Sequence, residues 1–309
     1  MTKTAPNSPG DYIVPLYING LNGRMLRMPA PGKRNREILF IYGHHSTLER
    51  WWGLVQDLNQ YGAVTMPDLP GFGGMDSFYK IGQKPTLDNL ADYLAAFVKM
   101  HYKRRRFSIA GLSFGFIVAT RMLQRYPDLA NKVDLLVSVV GFAHYEDFTF
   151  TPSRYRFYVN ASRFLSLPLP SLFFKNVCLH PGVLRLIYAR THNAKHKFAD
   201  KDPSEFKKLM DFEVHLWHAN DARTHMFTTV QMLTVDNCQK KVALPVWHIG
   251  VEGERYFDNH RVEQHMRIIF SDFNSALSKL SNHAPSVIAT KEEASPLIPQ
   301  KIRRVLAKS

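Results

Sequence analysis

At 309 residues, 45% of them apolar and 21% charged, the chain can bury a full core and carry one large globular domain plus an inserted piece. Its only cysteines, Cys178 and Cys238, form no C-x-x-C pair and lie near no second ligand cluster, which argues against a disulfide framework or structural zinc and for reduced thiols. The formal charge of +14 is spread as +7 over residues 1–144, +4 over 145–240 and +3 over 241–309, so no segment holds the concentrated excess expected of a nucleic-acid binder.

The polar stretch Met1 to Gly10 lacks the apolar core of a secretory signal, and no run approaches the roughly 18 apolar residues of a membrane span. The expected location is therefore cytoplasmic, without stable membrane insertion. Tyr12 to Asn19 and Arg24 to Met28 read as strands around an Asn19-Gly20 to Asn22-Gly23 turn, an antiparallel hairpin on a sheet edge. An alternation follows. Arg36 to Gly43, Ala63 to Leu69, Arg106 to Leu112 and Val133 to Phe142 read as buried strands; Trp51 to Tyr61 and Thr86 to Tyr102 read as helices, the second capped by Thr86 behind Pro85. This is the pattern of an α/β protein with a mainly parallel sheet covered by helices. The basic run Lys103-Arg104-Arg105-Arg106 falls in a connection and reads as a solvated loop.

From Tyr145 the periodicity changes. Residues 145–240 are rich in aromatic, basic and proline residues, with helices expected over Tyr155 to Leu165, Val183 to His192 and Ser204 to Val235. They read as a helical cap or lid inserted into a core made of 1–144 and 241–309. Strand character returns over Ala243 to Val251 and Asn274 to Leu280, before an amphipathic helix from about Pro296 to Ala307.

Chemistry concentrates at Gly111-Leu112-Ser113-Phe114-Gly115. The motif lies between the strand ending at Leu112 and a helically spaced set, Phe116, Ala119, Leu123 and Tyr126, that stops at Pro127. This is the strand, sharp turn and helix context of a nucleophile elbow, in which glycines two residues to either side let strand and helix close on a strained serine. A serine hydroxyl needs a base, and the base needs a group that holds its tautomer. His283, in Asn282-His283-Ala284-Pro285 after the last strand, preserves the chain order serine, acid, histidine. The acid is expected on the loop after Pro245 to Gly250: Glu254 is preferred because Arg255-Tyr256-Phe257 follow it and would shield the contact from water. Glu252, Asp258 and, after the preceding strand, Glu146 remain alternatives. An oxyanion hole needs two backbone N–H groups, which Phe114 and His44 are placed to donate; the side chains of His44 and His45 read as polar loop groups or substrate contacts.

With these residues assembled, the chain resembles the α/β-hydrolase family outside the cap. Asp68-Leu69-Pro70-Gly71-Phe72-Gly73 is similar to the family's D-x-P-G-x-G turn. The resemblance implies an eight-stranded, mostly parallel sheet, a cap inserted after the sixth strand, and a site between the two. It supports Ser113 as nucleophile, His283 as base, and the backbone of His44 and Phe114 as the oxyanion hole. The chain departs from the family's usual pattern with Tyr42-Gly43 for His-Gly, Asn282 for Gly before the histidine, and Glu rather than Asp as acid. A serine at the elbow argues against the dehalogenase and epoxide hydrolase branches.

The expected function is a serine hydrolase acting through an acyl-enzyme on a carboxylic ester or related acyl bond. The alternatives are acyl transfer or carbon–carbon bond hydrolysis on the same fold, and a catalytically silent protein that binds a small ligand or partner. No cofactor or metal is expected. His215, His218, Asp221 and His225 share helical spacings but complete no recognisable ligand set, and read as helix-surface groups. The apolar stretch Phe164, Leu165, Leu167, Leu169, Leu172, Phe173 and Phe174 is expected to pack the cap onto the sheet, with an acyl pocket or lid as the alternative. The substrate is then a small ester with an apolar acyl group, and the nearby Arg154, Arg156 and Arg163 would suit an anionic or lipid-interface molecule.

Overall fold

The computed structural model describes residues 8–103, 105–190, 203–280, 283 and 290–308. Eight strands form one sheet: β1 Ile13–Ile18, β2 Leu21–Met28, β3 Arg36–Ile41, β4 Gly62–Pro67, β5 Phe107–Leu112, β6 Val133–Val139, β7 Val242–Val251 and β8 Phe270–Ser278, in spatial order β1-β2-β4-β3-β5-β6-β7-β8. β2 runs antiparallel to both its neighbours, β1 and β4; every other pair is parallel. The central β5 is buried at every residue, as a strand covered on both faces must be. The β1–β2 turn is only Asn19-Gly20, whose φ values of 52° and 82° suit the mirror-image turn that a right-handed hairpin twist selects. Asn22 and Gly23, expected in the turn, instead pair with Tyr17 and Leu16 in the ladder.

Helices α1 Trp52–Asn59, α2 Leu87–His101 and α3 Phe114–Arg125 cover the sheet. Thr86 caps α2 by accepting the Asn89 N–H at 3.1 Å. Of the basic run, Lys103, Arg105 and Arg106 lie in the connection before β5 as expected, with Arg105 paired to Glu37 at 2.5 Å and Arg106 to Asp134; Arg104 lies outside the described residues.

Between β6 and β7 lie α4 Pro152–Leu165, α5 Pro168–Phe173 with a π-helical turn Phe174–Cys178, α6 Pro181–Arg190, α7 Pro203–Ala219 and α8 Ala222–Leu233. The helix expected over Ser204 to Val235 is thus two helices. It breaks at Asn220-Asp221 because both are drawn to the 68–73 turn: the Asn220 side chain accepts the Gly73 N–H at 3.0 Å, the Asp221 N–H donates to the Gly71 carbonyl at 2.8 Å, and the Asp221 carboxylate then caps α8 through the Thr224 N–H at 2.7 Å. The helix expected to run to His192 is described only to Arg190; the rest lies outside the described residues. The apolar stretch is the larger correction. Phe164, Leu167, Leu169, Leu172 and Phe173 are exposed rather than packed on the sheet, because α4 meets the body of the protein through its other side, with Val159 and Ser162 buried. Phe174 does turn inward, against Trp217.

After β7 come α9 Asn259–Ile269 and β8, and the chain closes with α10 Gln300–Leu306. The terminal helix starts later than Pro296 because Ile298, preceding Pro299, is held extended at φ −102° and ψ 104°.

Candidate active site

Ser113 stands directly between β5 and α3 with φ 48° and ψ −114°. A non-glycine residue rarely adopts this conformation, at a cost of about 1–3 kcal/mol. It is imposed from both sides. The Ser113 N–H donates to the Val139 carbonyl at 2.9 Å, and its carbonyl accepts the Phe116 N–H at 3.0 Å. The flanking glycines are needed for space: a Cβ on Gly115 would overlap the carbonyls of Ile41 and Tyr42, and one on Gly111 would stand 2.8 Å from the Phe116 Cα. The G-x-S-x-G spacing therefore reflects close approach of α3 to β3 and to its own strand.

His283 is brought to this turn. Its Nε2 lies 3.2 Å from Ser113 Oγ, and its Nδ1 lies 2.6 Å from Glu254 Oε2. An ionised carboxylate only accepts, so Nδ1 carries the hydrogen and Nε2 is left to receive the serine proton. Asn282, Ala284 and Pro285 lie outside the described residues. Glu254 is held by its own loop, its Oε1 accepting the N–H groups of Arg255 at 2.9 Å and Tyr256 at 2.8 Å. Burial pushes the Glu254 carboxyl up, but the hydrogen bond and charge of His283 and these two N–H donors outweigh it, and the pKa sits below the usual range. The rings of Tyr256 and Phe257 lie 5.5 and 5.3 Å from the imidazole and cover it, as expected of an aromatic pair after the acid.

The competing carboxylates are elsewhere. Glu252 is exposed. Asp258 caps α9, accepting the His260 N–H at 2.9 Å. Glu146 faces His144 and His265, 3.6 and 3.9 Å away. These three side chains offer ligand-type atoms within 4.8 Å of one another, yet the two Nδ1 atoms serve the fold: that of His144 accepts the Glu146 N–H at 3.3 Å, and that of His265 meets the buried Asp147 at 2.6 Å. Asp147 was not singled out from sequence. It also accepts the N–H groups of Ala143 and His144, bracing the segment that pairs with the Glu254 loop through Phe148 and Phe257.

Phe114 is the first residue of α3, so its N–H is one that a helix leaves without an intrahelical acceptor. His44 follows Gly43 just beyond β3, where a Cβ on Gly43 would press to 2.7 Å from Leu112 Cδ2. The His44 ring sits between Phe72, Phe114 and His225, with centroids 5.4, 5.3 and 4.2 Å away. The Thr228 hydroxyl donates to the Thr224 carbonyl at 2.8 Å, which leaves its lone pair for His44 Nε2–H at 2.9 Å. Burial lowers the His44 pKa to about 4, so this ring is neutral. His45, at φ 55°, packs 4.3 Å from Trp217, and its Nε2 lies 3.8 Å from Glu213 Oε2.

Sequence spacing did not reveal Trp217, His225, Thr228 or Glu213 as neighbours of the elbow, because all four come from α7 and α8. His225 is a correction: it is buried, while His215 and His218 stay exposed and Asp221 caps a helix, so that histidine set does not converge. Tyr42, which replaces the family's histidine, has a structural use. Its hydroxyl donates to Asp68 Oδ1 at 2.9 Å and accepts the Leu69 N–H at 3.0 Å, tying β3 to the 68–73 turn.

No protein-family model and no sequence among the curated proteins matches the chain. Solved structures do resemble it. A putative lipase from Acinetobacter baumannii AYE superposes with a TM-score of 0.67 at 16% identity, covering 95% of this chain and 90% of that one. The enol-lactonase from Burkholderia xenovorans LB400 gives 0.66 at 12% identity, covering 96% and 100%. An esterase from Exiguobacterium antarcticum gives 0.62 at 11% identity, covering 86% and 90%. The chain thus has the α/β-hydrolase fold, with a serine, a histidine and a glutamate aligned where its central strand ends.

Proposed function

We propose that the protein is a serine hydrolase that cleaves carboxylic esters or closely related acyl bonds through an acyl-enzyme on Ser113. The observation that carries this reading is the continuous hydrogen-bonded series from Glu254 Oε2 to His283 Nδ1, 2.6 Å, and from His283 Nε2 to Ser113 Oγ, 3.2 Å. In this mechanism Ser113 Oγ attacks the substrate carbonyl carbon as its proton passes to His283 Nε2. The resulting oxyanion is met by the N–H groups of Phe114 and His44. His283 returns the proton to the departing alcohol, then takes one from the water that attacks the acyl carbon and passes it to Ser113 Oγ as the acyl C–O bond breaks and the carboxylic acid leaves. Glu254 stays ionised throughout and keeps the imidazolium oriented.

Residues 145–240 act as a cap in this reading, and Phe72, Phe114 and Trp217, grouped around His44 and His45, favour an apolar acyl group. The enol-lactonase and the esterase of similar fold are, by name, enzymes of ester-type bonds, which supports this class of substrate. Labelling with an active-site-directed fluorophosphonate, compared with Ser113→Ala, tests the mechanism. Labelling of the native chain alone is expected; label that persists in the variant would place the nucleophile elsewhere, and label in neither would leave a silent binding protein of the same fold. Nitrophenyl esters of increasing acyl length on the same samples report the depth of the pocket.

A further inference from the structure

The apolar stretch that does not pack on the sheet forms an exposed surface. Phe157 and Phe164 on α4 are 67% and 61% exposed, Leu167 between the helices 51%, and Leu169, Leu172 and Phe173 on α5 78%, 56% and 61%. Large apolar side chains normally reach solvent singly; five of them on two helices that touch one another, with Leu167 between, mark an interaction surface. Charge says what kind. Pro152 to Cys178 contains Arg154, Arg156, Arg163 and Lys175, all exposed, and no Asp or Glu.

We propose that this face docks on the surface of an anionic lipid bilayer, with the leucines and phenylalanines entering the boundary between headgroups and acyl chains and the four cations meeting lipid phosphates. The binding is peripheral: no helix among the described residues is long and apolar enough to cross a membrane. A second copy of this chain suits the face poorly, because a two-fold contact would bring the same cations against one another. The surface belongs to the helices over the elbow. Arg223 on α8 donates to the Ser166 carbonyl at 3.1 Å where α4 ends, and α8 also carries His225 and Thr228 against His44. A docked molecule would thus hold the covering helices against lipid.

Flotation with phosphatidylcholine vesicles, with and without phosphatidylglycerol, tests this with full-length protein. Binding is expected to the anionic vesicles, to fall steeply in high salt, and to be weak on phosphatidylcholine alone. The exposed-site variant Leu169→Ser/Leu172→Ser/Phe173→Ser should lose at least about tenfold of the partitioning, and Arg156→Gln/Arg163→Gln/Lys175→Gln on the order of a hundredfold. Both should keep native melting behaviour and fluorophosphonate labelling, so a failure of docking is separable from a failure of catalysis. The proposal is overturned if native protein does not float with anionic vesicles, or if the leucine and phenylalanine variant floats as well as native. It is also overturned if ultracentrifugation shows a dimer, abolished by that variant, in place of vesicle binding.

Discussion

At Ser113 a single residue carries backbone strain and, in the proposed mechanism, the chemistry. Its φ of 48° is easy for glycine and costly for serine. Ser113→Gly is therefore expected to abolish turnover while raising stability by about 1 kcal/mol, read as a higher urea midpoint with unchanged slope. An equal or lower midpoint would mean that the bend is not strained. Glu254 offers the second test at this scale. Glu254→Gln keeps the shape but removes the acceptor that fixes the His283 tautomer, and kcat should fall by on the order of a thousand- to ten-thousand-fold. Glu252→Gln, on the exposed side of the same loop, should leave kcat within about twofold. Similar losses in both variants would place the acid's role elsewhere on the loop. Sequence order and the aromatic pair after Glu254 sufficed to prefer it. The choice among four carboxylates rested on loop geometry, since Glu252, Glu254 and Asp258 differ in which backbone N–H groups and side chains they meet and not in type.

Among the elements, the elbow depends on how closely α3 approaches β3. Gly115→Ala would drive a methyl into the carbonyls of Ile41 and Tyr42, so the helix must retreat. A loss of about 3 kcal/mol or more in urea unfolding, with loss of fluorophosphonate labelling, is expected. Unaltered stability would show that α3 is less tightly seated. Most strands and helices of the sheet half were legible because burial imposes local patterns, such as the mostly apolar run of the fully buried β5. β8, however, begins at Phe270, four residues before the expected Asn274, because polar residues interrupt its start. The helices between β6 and β7 were less legible. A break such as Asn220-Asp221 responds to Gly71 and Gly73, nearly 150 residues away in the chain, which no local pattern contains.

For the whole molecule, two kinds of buried titratable group bear on stability, one charged and paired, the other neutral. Asp57 on α1, 2% exposed in its side chain, is paired at 2.6 Å with Arg303 on the C-terminal helix α10. Arg303→Met leaves that carboxylate buried without its partner, and a loss of about 3–5 kcal/mol is expected; a loss under about 1 kcal/mol would show that water or a neighbour takes over. The second kind is the buried histidine. Burial lowers both His44 and His248 to about 4 and His225 well below its ordinary value. The unfolded chain takes up these protons from about pH 6.5 downward, while the folded one refuses them to about pH 4. Stability is therefore full above about pH 6.5 and declines as pH falls, by up to roughly 3 kcal/mol for each of His44 and His248. Glu254, whose carboxyl is depressed, adds a further loss at lower pH as it is protonated. Melting temperatures should be level from pH 7.5 to about 6.5 and fall steadily from there to pH 4.5; a profile flat throughout would mean that these rings are hydrated.

What the chain determines by itself is what local steric and burial rules encode: the alternation that makes a mainly parallel sheet, the glycine spacing that lets a serine stand at a sharp turn, and a histidine near the far end of the chain. The tertiary structure decided which carboxylate meets that histidine, that Trp217, His225 and Thr228 surround His44, and that an apolar stretch expected in the core faces outward. The reason is common to all three. Hydrophobicity and propensity act along the chain and state how strongly a residue prefers burial. Which surface buries it, and which partner it meets, depends on segments brought together only when the sheet closes and the helices settle over it.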